Sequence, residues 1–259
     1  MPARNKAIFL ILFGAVTLLA PRPACSQDRF KVFPVVEWVV LDPGHGGEDQ
    51  GVVGPGGWTE AQLTLALARQ LKEALERDLG LHVVVTRDEE LNPGLYERTA
   101  TANGLKADLF LSLHAAAEAY DNRFGYNIFV QDYRRQLGLA DREPRADLMP
   151  GQLGEWSLAQ MTYLDSSRRL ARELDQSLKE VLRVRSRGVQ GLPLALLAGA
   201  AQPAVLLEVG VLTDPEAERR LRTPGYRDAL TRAVVQGLGN WLHRVDEEFE
   251  TGPPAEDVD

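Results

Sequence analysis

The sequence predicts a single α/β domain with a twisted, mostly parallel sheet flanked by helices on both faces. Short apolar runs rich in β-branched residues alternate along the chain with longer segments whose leucines recur at helical spacing. Glycine and proline punctuate the junctions between these segments. Because strands that alternate with helices favour a parallel sheet covered on both sides, these observations together predict the fold class.

The first strand is predicted at Glu37 to Leu41, where an apolar run is closed by an Asp-Pro-Gly turn. A glycine-rich loop, Gly44 to Trp58, follows it. Thr59 then caps a helix, because Gln62 stands three residues later and completes a capping box. Gly80 ends this helix. Its apolar stripe consists of Leu63, Leu67, Leu71 and Leu75.

The next segments continue the alternation of strands and helices. Leu81 to Thr86 is predicted as a strand, Leu95 to Asn103 as a short helix stopped by Gly104, and Asp108 to Leu113 as a third strand. The later predicted elements are a strand at Tyr126 to Gln131, a helix at Ser166 to Leu182, short strands at Leu192 to Leu197 and Ala204 to Glu208, a helix capped by Asp214 and Pro215, and a last helix at Tyr226 to His243.

The first 26 residues have the layout of a secretory signal peptide. Two basic residues precede an apolar run from Ala7 to Ala20, which is shorter than the roughly 20 residues that a membrane-spanning helix needs. Small residues favour cleavage after Ser26, which leaves a mature chain with no cysteine and no membrane span. Lipidation at Cys25 stays open as the alternative. We therefore expect an exported protein, periplasmic or extracellular.

Composition and charge set the domain limits and narrow the choice of partners. Residues 27–35 are predicted as a short lead-in, 36–245 as the folded domain and 246–259 as an acidic, flexible tail. The chain has 29 Lys and Arg against 37 Asp and Glu, a formal net charge of −8. Because nucleic-acid binding needs a basic excess to displace phosphate counterions, this charge argues against a nucleic-acid partner.

Three polar side chains follow apolar runs at the predicted strand ends. His45 comes after the first strand, His114 at the end of the third, and Glu208 at the end of a late one. Parallel α/β sheets place their sites at the carboxyl ends of strands, so these residues are expected to converge. Glu60 lies in the first turn of the capped helix, where the helix dipole alone would stabilise a carboxylate.

The combination of these residues predicts a zinc site. Two imidazoles and one carboxylate are the donor set of a catalytic zinc ion that keeps a fourth position for water. We therefore expect His45, Glu60 and His114 to bind one Zn²⁺ ion. A carboxylate at the end of a buried strand is costly unless it is paired or used. We expect Glu208 to act as general base toward the attacking water and then as acid toward the leaving amine.

A series of short motifs recurs in order between residues 36 and 243. They are Val39 to Gly47 (VVLDPGHGG), Thr59-Glu60, Thr86-Arg87, Glu97-Arg98 with Ala102-Asn103, Ala107 to His114 (ADLFLSLH) and Pro203 to Glu208 (PAVLLE). With these motifs the chain resembles the zinc-dependent N-acetylmuramoyl-L-alanine amidases used in cell separation and cell-wall turnover. Each motif is weak alone, and their order makes the resemblance specific.

The resemblance implies an activity and a substrate. Its zinc ligands carry over to His45, Glu60 and His114 and its catalytic glutamate to Glu208, in a single α/β domain that cuts peptidoglycan between N-acetylmuramic acid and L-alanine. The implied role is cell-wall remodelling or cell separation. Ala116 stands where the family often has asparagine, and Ala61 where it often has lysine, departures that bear on fine specificity.

Residues 132–164 lie where some relatives carry a helical insertion that covers the zinc until a protein activator removes it. The resemblance implies that Glu155 of this segment could reach the metal and that an activator could act on 132–164. An ordinary surface connection explains the same residues. Both interpretations stay open.

Two other functions remain as alternatives. One is a zinc exopeptidase or another amide hydrolase on a similar sheet, and the other is an inactive cell-wall-binding module. Arg87 and Arg98 are interpreted as structural, with contact to stem-peptide carboxylates as the alternative. His82 and His243 have no partner set and are interpreted as structural or solvated.

Overall fold

The computed structural model describes residues 36–88, 91–117, 125–133 and 155–251, with the backbone alone at 155–158 and 248–251. The strands are β1 (Trp38–Pro43), β2 (His82–Val85), β3 (Leu109–Ala116), β4 (Gly125–Gln131), β5 (Arg185–Leu192) and β6 (Ala204–Val211). The helices are α1 (Glu60–Leu79), α2 (Leu95–Leu105), α3 (Leu164–Leu182), α4 (Ala195–Ala198), α5 (Pro215–Arg222) and α6 (Pro224–Thr251), with a 3₁₀ helix at Glu155–Tyr163.

The six strands form one sheet in the order β2-β1-β3-β6-β4-β5. β1, β2, β3 and β6 run parallel, whereas β4 is antiparallel to β6 and parallel to β5. The predicted mostly parallel sheet is therefore confirmed. The carboxyl ends of β3 and β6 meet at one edge, where the reversed β4 begins. In this register, His114 of β3 and Asn127 of β4 both pair with Glu208 of β6.

Helices cover both faces of the sheet, as predicted. α1, α3 and α6 pack on the face that carries Leu41 and Leu111. α2 and α4 pack on the other face, which carries Val40 and Phe110. Successive residues of a strand point to opposite faces, so a strand buried on both sides must be apolar throughout. This explains the apolar runs Val39 to Leu41 in β1 and Leu109 to Leu111 in β3.

The predicted start of α1 is confirmed. Gln62 N–H donates to the Thr59 hydroxyl, and Thr59 N–H donates to the Gln62 side chain, both at 3.2 Å. Gly80 ends the helix in the left-handed conformation with a φ of 68°. This capping box fixes Glu60 as the first residue of α1, so the carboxylate lies at the helix end that faces the loop after β1.

The strand predicted at Leu192 to Leu197 is wrong. The strand is β5, which ends at Leu192, and the apolar residues after Pro193 form α4. β5 is an edge strand that is largely half-buried, so its sequence is polar and lacks the apolar run by which a central strand is recognised. Leu196 and Leu197 are instead buried by α4 against the sheet.

Several boundaries also differ from those predicted. Gly104 lies inside α2, and Lys106 caps that helix with a φ of 52°. β6 continues past Glu208 because Val211 still pairs with Ala116 of β3. α6 continues to Thr251, into the segment expected to be a tail.

Some predictions fall on parts of the chain that are not described. The signal peptide and lead-in at 1–35, residues 134–154 of the suggested insertion, and residues 252–259 all lie outside the described residues. Within the described ranges no helix is long and apolar enough to cross a membrane.

Candidate active site

The loop that carries His45 is held by two buried arginines. Arg98 donates to the carbonyls of Pro43 and His45 at 2.8 and 2.9 Å. Arg87 donates to the carbonyls of Pro43 and Gly44 at 2.8 and 2.9 Å. Burial lowers the pKa of Arg87 to about 10, which still leaves it charged at neutral pH. These contacts support the structural interpretation of both arginines.

Asp42 connects this loop to the sheet. Its carboxylate is fully buried and accepts hydrogen bonds from Arg98 at 2.9 Å, from the Thr86 hydroxyl at 2.6 Å and from the Ser112 hydroxyl at 2.8 Å. A buried charge is tolerated when it is paired and its oxygens are hydrogen-bonded. Sequence reasoning did not assign Asp42 a role, although it stands directly beside the Pro-Gly-His motif.

His45, Glu60 and His114 form one cluster. Glu60 lies between the two imidazoles, with its Oε2 3.1 Å from His45 Nε2 and its Oε1 3.0 Å from His114 Nδ1. One ligand atom from each residue lies within 4.8 Å of the others. Atoms that bind one tetrahedral zinc ion at about 2.0–2.2 Å lie roughly 3.3 Å apart. The three predicted ligands therefore converge at distances that fit a single metal ion.

The Glu60 carboxylate is ionised and fixed in place. Burial by itself would raise its pKa, but hydrogen bonds from His114, His45 and the Ala115 N–H hold the pKa of Glu60 well below its usual range. The N–H groups of Ala115 and Val52 donate to Oε1 and Oε2 at 2.9 and 3.1 Å. A carboxylate held in this way is a preorganised ligand for a cation.

Asp49 orients the His45 ring. His45 Nδ1 donates to Asp49 Oδ2 at 2.9 Å, so Nε2 is the nitrogen that faces Glu60. The hydrogen bonds to Glu60 and Asp49 raise the pKa of His45 against the opposing effect of burial. Metal-binding histidines commonly donate their second ring N–H to a carboxylate in this manner. Sequence reasoning missed Asp49, whose signal was its position four residues after His45.

Two glycines make room for the imidazoles. A Cβ atom at Gly44 would lie 2.3 Å from the His114 ring. A Cβ atom at Gly51 would lie 2.6 Å from the His45 ring, and Gly51 also has a φ of 61°. Close packing against the cluster therefore requires glycine at these two positions of the loop.

Glu208 lies in the same cavity as the cluster. The cavity has a volume of about 810 Å³ and is lined by His45, Glu60, His114 and Glu208, together with Asn127 and Phe129 from β4 and residues from β5 and the segment that follows it. Asn127 Nδ2 donates to Glu208 Oε2 at 2.6 Å. Burial raises the pKa of Glu208 above that of an ordinary glutamate. The structure thus brings all four predicted residues together.

A second cavity of about 270 Å³ also borders His45 and His114. Asn92, Pro93 and Leu95 from the start of α2 line it. Leu95 is 50% exposed, so apolar surface borders this cavity. The cluster is therefore reached by two clefts, and Glu208 borders the larger one.

The other two histidines line neither cavity. His82 packs its ring on Trp38, with ring centroids 4.7 Å apart. His243 lies on the exposed surface of α6, 3.4 Å from Glu247. These contacts support the structural and solvated interpretations of His82 and His243.

The fold and the site define a class: an α/β enzyme whose sheet edge combines a His-Glu-His cluster able to hold a metal ion with a separate carboxylate. The particular family follows from comparison. The family model described as N-acetylmuramoyl-L-alanine amidase matches residues 39–240. The chain belongs to this family.

Individual relatives agree with this assignment. The chain is 30% identical to N-acetylmuramoyl-L-alanine amidase AmiA of Escherichia coli K12 over 81% of its own length and 78% of the relative. A crystal structure of an N-acetylmuramoyl-L-alanine amidase from Clostridium difficile 630 matches 80% of the chain and 97% of that structure, with 27% identity and a TM-score of 0.65. The catalytic domain of CwlV from Paenibacillus polymyxa matches 80% and 99%, with 24% identity and a TM-score of 0.63, and supports the fold.

Proposed function

We propose that the protein hydrolyses the amide bond between the lactyl group of N-acetylmuramic acid and the L-alanine of the stem peptide in peptidoglycan, with one zinc ion held by His45, Glu60 and His114. The observation that carries the proposal is the cavity in which these three residues and Glu208 come together. Family membership supports the choice of substrate and bond.

The donor set supports zinc as the metal. Two imidazole nitrogens and one carboxylate suit zinc, whereas calcium and magnesium prefer oxygen ligands throughout. When bound there, zinc acts as a Lewis acid that polarises the scissile carbonyl. The ionised Glu60 supplies a fixed negative charge, and Asp49 keeps the ligand nitrogen of His45 turned toward the cluster.

Glu208 is proposed to move the proton. As a carboxylate it accepts a proton from the attacking water, and as a carboxylic acid it returns that proton to the nitrogen of the leaving L-alanine. A general base works best when its pKa approaches the working pH, and burial shifts the pKa of Glu208 in that direction. Such proton transfer typically contributes about 10²–10⁴-fold in rate.

The two clefts suggest how the substrate is oriented. The leaving amine must lie next to Glu208, so the stem peptide is proposed to occupy the larger cavity. The sugar then extends toward the smaller cavity, where Leu95 offers exposed apolar surface.

Digestion of purified sacculi tests the proposed reaction. We expect the intact protein to expose new N-terminal L-alanine residues, and we expect chelation of the metal or the substitution Glu208→Ala to abolish their appearance. Metal analysis should give about one zinc per chain, because three protein ligands hold a single ion and leave its fourth position for water or substrate. A different new N-terminal residue would point to an exopeptidase or another amide hydrolase. A folded, zinc-free protein that binds sacculi without cutting them would identify a binding module.

Export and regulation are proposed from the sequence. We propose secretion with cleavage after Ser26, which N-terminal sequencing of the exported protein tests, since lipidation at Cys25 would give a blocked N-terminus instead. We also propose that residues 132–164 restrict access to the site until a protein activator acts on them. The support is that this segment leaves β4 at Asp132, which bonds to Leu192 of the cavity lining. Deleting residues 134–154 without a rise in basal hydrolysis would contradict this.

A further inference from the structure

Asn127 of β4 is buried against Glu208. Its side chain is 5% exposed, and its Nδ2 donates to Glu208 Oε2 at 2.6 Å. The two residues face each other in the antiparallel pairing of β4 with β6. Both line the cavity that contains the His-Glu-His cluster. The amide of Asn127 therefore determines where one oxygen of Glu208 lies in that cavity.

The other polar atom of the same amide is unpaired. Asn127 Oδ1 is buried and accepts no hydrogen bond from the described part of the chain. A buried acceptor without a partner is unfavourable, and an apolar side chain of similar shape would avoid that penalty. An ionised carboxylate can only accept hydrogen bonds, so Nδ2 must face Glu208 and Oδ1 must face away from it. The unpaired Oδ1 therefore offsets the stability that the hydrogen bond from Nδ2 to Glu208 gives, and fold stability alone does not explain an asparagine at this position.

We propose that Asn127 is a positioning residue whose side-chain amide holds Glu208 in the orientation in which the carboxylate faces the metal cluster. This inference rests on the proposed amidase reaction and adds a residue to it. Without the hydrogen bond, the end of the Glu208 side chain can rotate, because its terminal torsion is broad. A displacement of about 1 Å in a catalytic arrangement can cost as much as 10²-fold in rate.

Burial, a hydrogen bond and nearby charges together set the pKa of Glu208. Burial raises the pKa of Glu208, the hydrogen bond from Asn127 lowers it, and the nearby charges of His114, Glu60 and Arg187 act in addition. Removing the hydrogen bond from Asn127 therefore raises the pKa of Glu208 further. A general base must be ionised to work. When the pH is lowered, a variant without this hydrogen bond would therefore lose activity at a higher pH than the wild type does.

Asn127→Leu tests the inference, because leucine is close to asparagine in shape and removes both the unpaired Oδ1 and the Nδ2 that donates to Glu208. We expect a melting temperature close to that of the wild type, because removal of the buried unpaired Oδ1 offsets the loss of the hydrogen bond to Glu208, and we expect unchanged zinc content. We expect kcat on muropeptides to fall by about tenfold or more with little change in KM. The acid limb of kcat/KM should move up by about one pH unit, the scale of a hydrogen bond to a charged group. Asn127→Asp, which places a second carboxylate beside Glu208, should move it further.

Ser177→Ala is the matched control. Ser177 of α3 is fully buried and its hydroxyl has no partner among the described residues, yet it lies outside both cavities. We expect this variant to retain wild-type stability or gain some, and to keep wild-type kcat and pH dependence. The comparison separates removal of a buried unpaired polar atom from loss of the contact to Glu208.

Wild-type kcat and an unchanged acid limb in Asn127→Leu would overturn the inference. A loss of activity that only follows lower stability or lower zinc content would also overturn it, because Asn127 would then be structural. If the leucine variant does not fold, Asn127→Ala decides the question by the same measurements, since a smaller side chain cannot clash. A wild-type protein that releases no stem peptides would refute the proposed function itself, and the inference with it.

Discussion

Replacing Arg98 with methionine would delete the guanidinium that holds the His45 loop while keeping much of the aliphatic volume. Arg98 is 4% exposed, and it donates to the Asp42 carboxylate at 2.9 Å and to two loop carbonyls. Removing one partner of a buried ion pair costs about 3–5 kcal/mol, because Asp42 stays buried and charged without its counterion. At about 2–4 °C per kcal/mol for a domain of this size, we expect the melting temperature to fall by about 6–20 °C.

Thermal unfolding followed by circular dichroism measures this change. Arg168→Met is the control, because Arg168 forms a more exposed ion pair with Asp165 on α3, and such pairs contribute about 0–1 kcal/mol. If Arg98→Met unfolds at the temperature of the control, the buried ion pair with Asp42 does not stabilise the fold. A variant that kept its melting temperature and showed only a raised KM would favour the alternative in which Arg98 contacts the stem-peptide carboxylates.

Four further predictions concern the cluster and Glu208. Asp49→Ala should weaken zinc binding by about 10–100-fold, measured by competition with a chelator, because His45 loses the carboxylate that orients its ring; unchanged affinity would contradict that role. Gly44→Ala should reduce zinc content while the circular dichroism spectrum is retained, because the new Cβ displaces the His114 ring; a fully loaded variant would disprove the close packing. In the wild type, kcat/KM should fall with decreasing pH through a pKa above the ordinary 4.5 of a glutamate, because burial raises the pKa of Glu208 and the base works only when ionised. Glu208→Gln should lower kcat by about 10²–10⁴-fold with zinc retained, at pH values where Glu208 of the wild type is ionised, and an active glutamine variant would exclude Glu208 as the base.

Site residues could be predicted from the sequence where neighbouring residues along the chain identify them. His45 follows an apolar run and precedes glycines, Glu60 follows a helix cap, and His114 lies near the end of a buried strand. Asp49 also stood within reach of such reasoning. Its spacing from His45 could have suggested the hydrogen bond that the structure contains.

Contacts between distant segments could not be read in the same way. Asn127 lies opposite Glu208 because β4 runs antiparallel to β6, and the direction of a strand is not encoded in its own apolar run. The bond between Asp42 and Arg98 likewise joins residues on β1 and α2. β5 was not predicted for a different reason. An edge strand needs few buried side chains, so the sequence of β5 lacks the apolar pattern of a central strand.

The two carboxylates in the larger cavity occupy environments that push their pKa values in opposite directions. Glu60 lies beside two imidazoles and accepts hydrogen bonds from two backbone N–H groups, so its pKa is held low. Glu208 is buried with one amide donor, so its pKa is raised above that of an ordinary glutamate. Carboxylates whose environments separate their pKa values in this way suit different roles. Removing the amide of Asn127 should therefore alter proton transfer by Glu208 and leave metal binding by Glu60 intact.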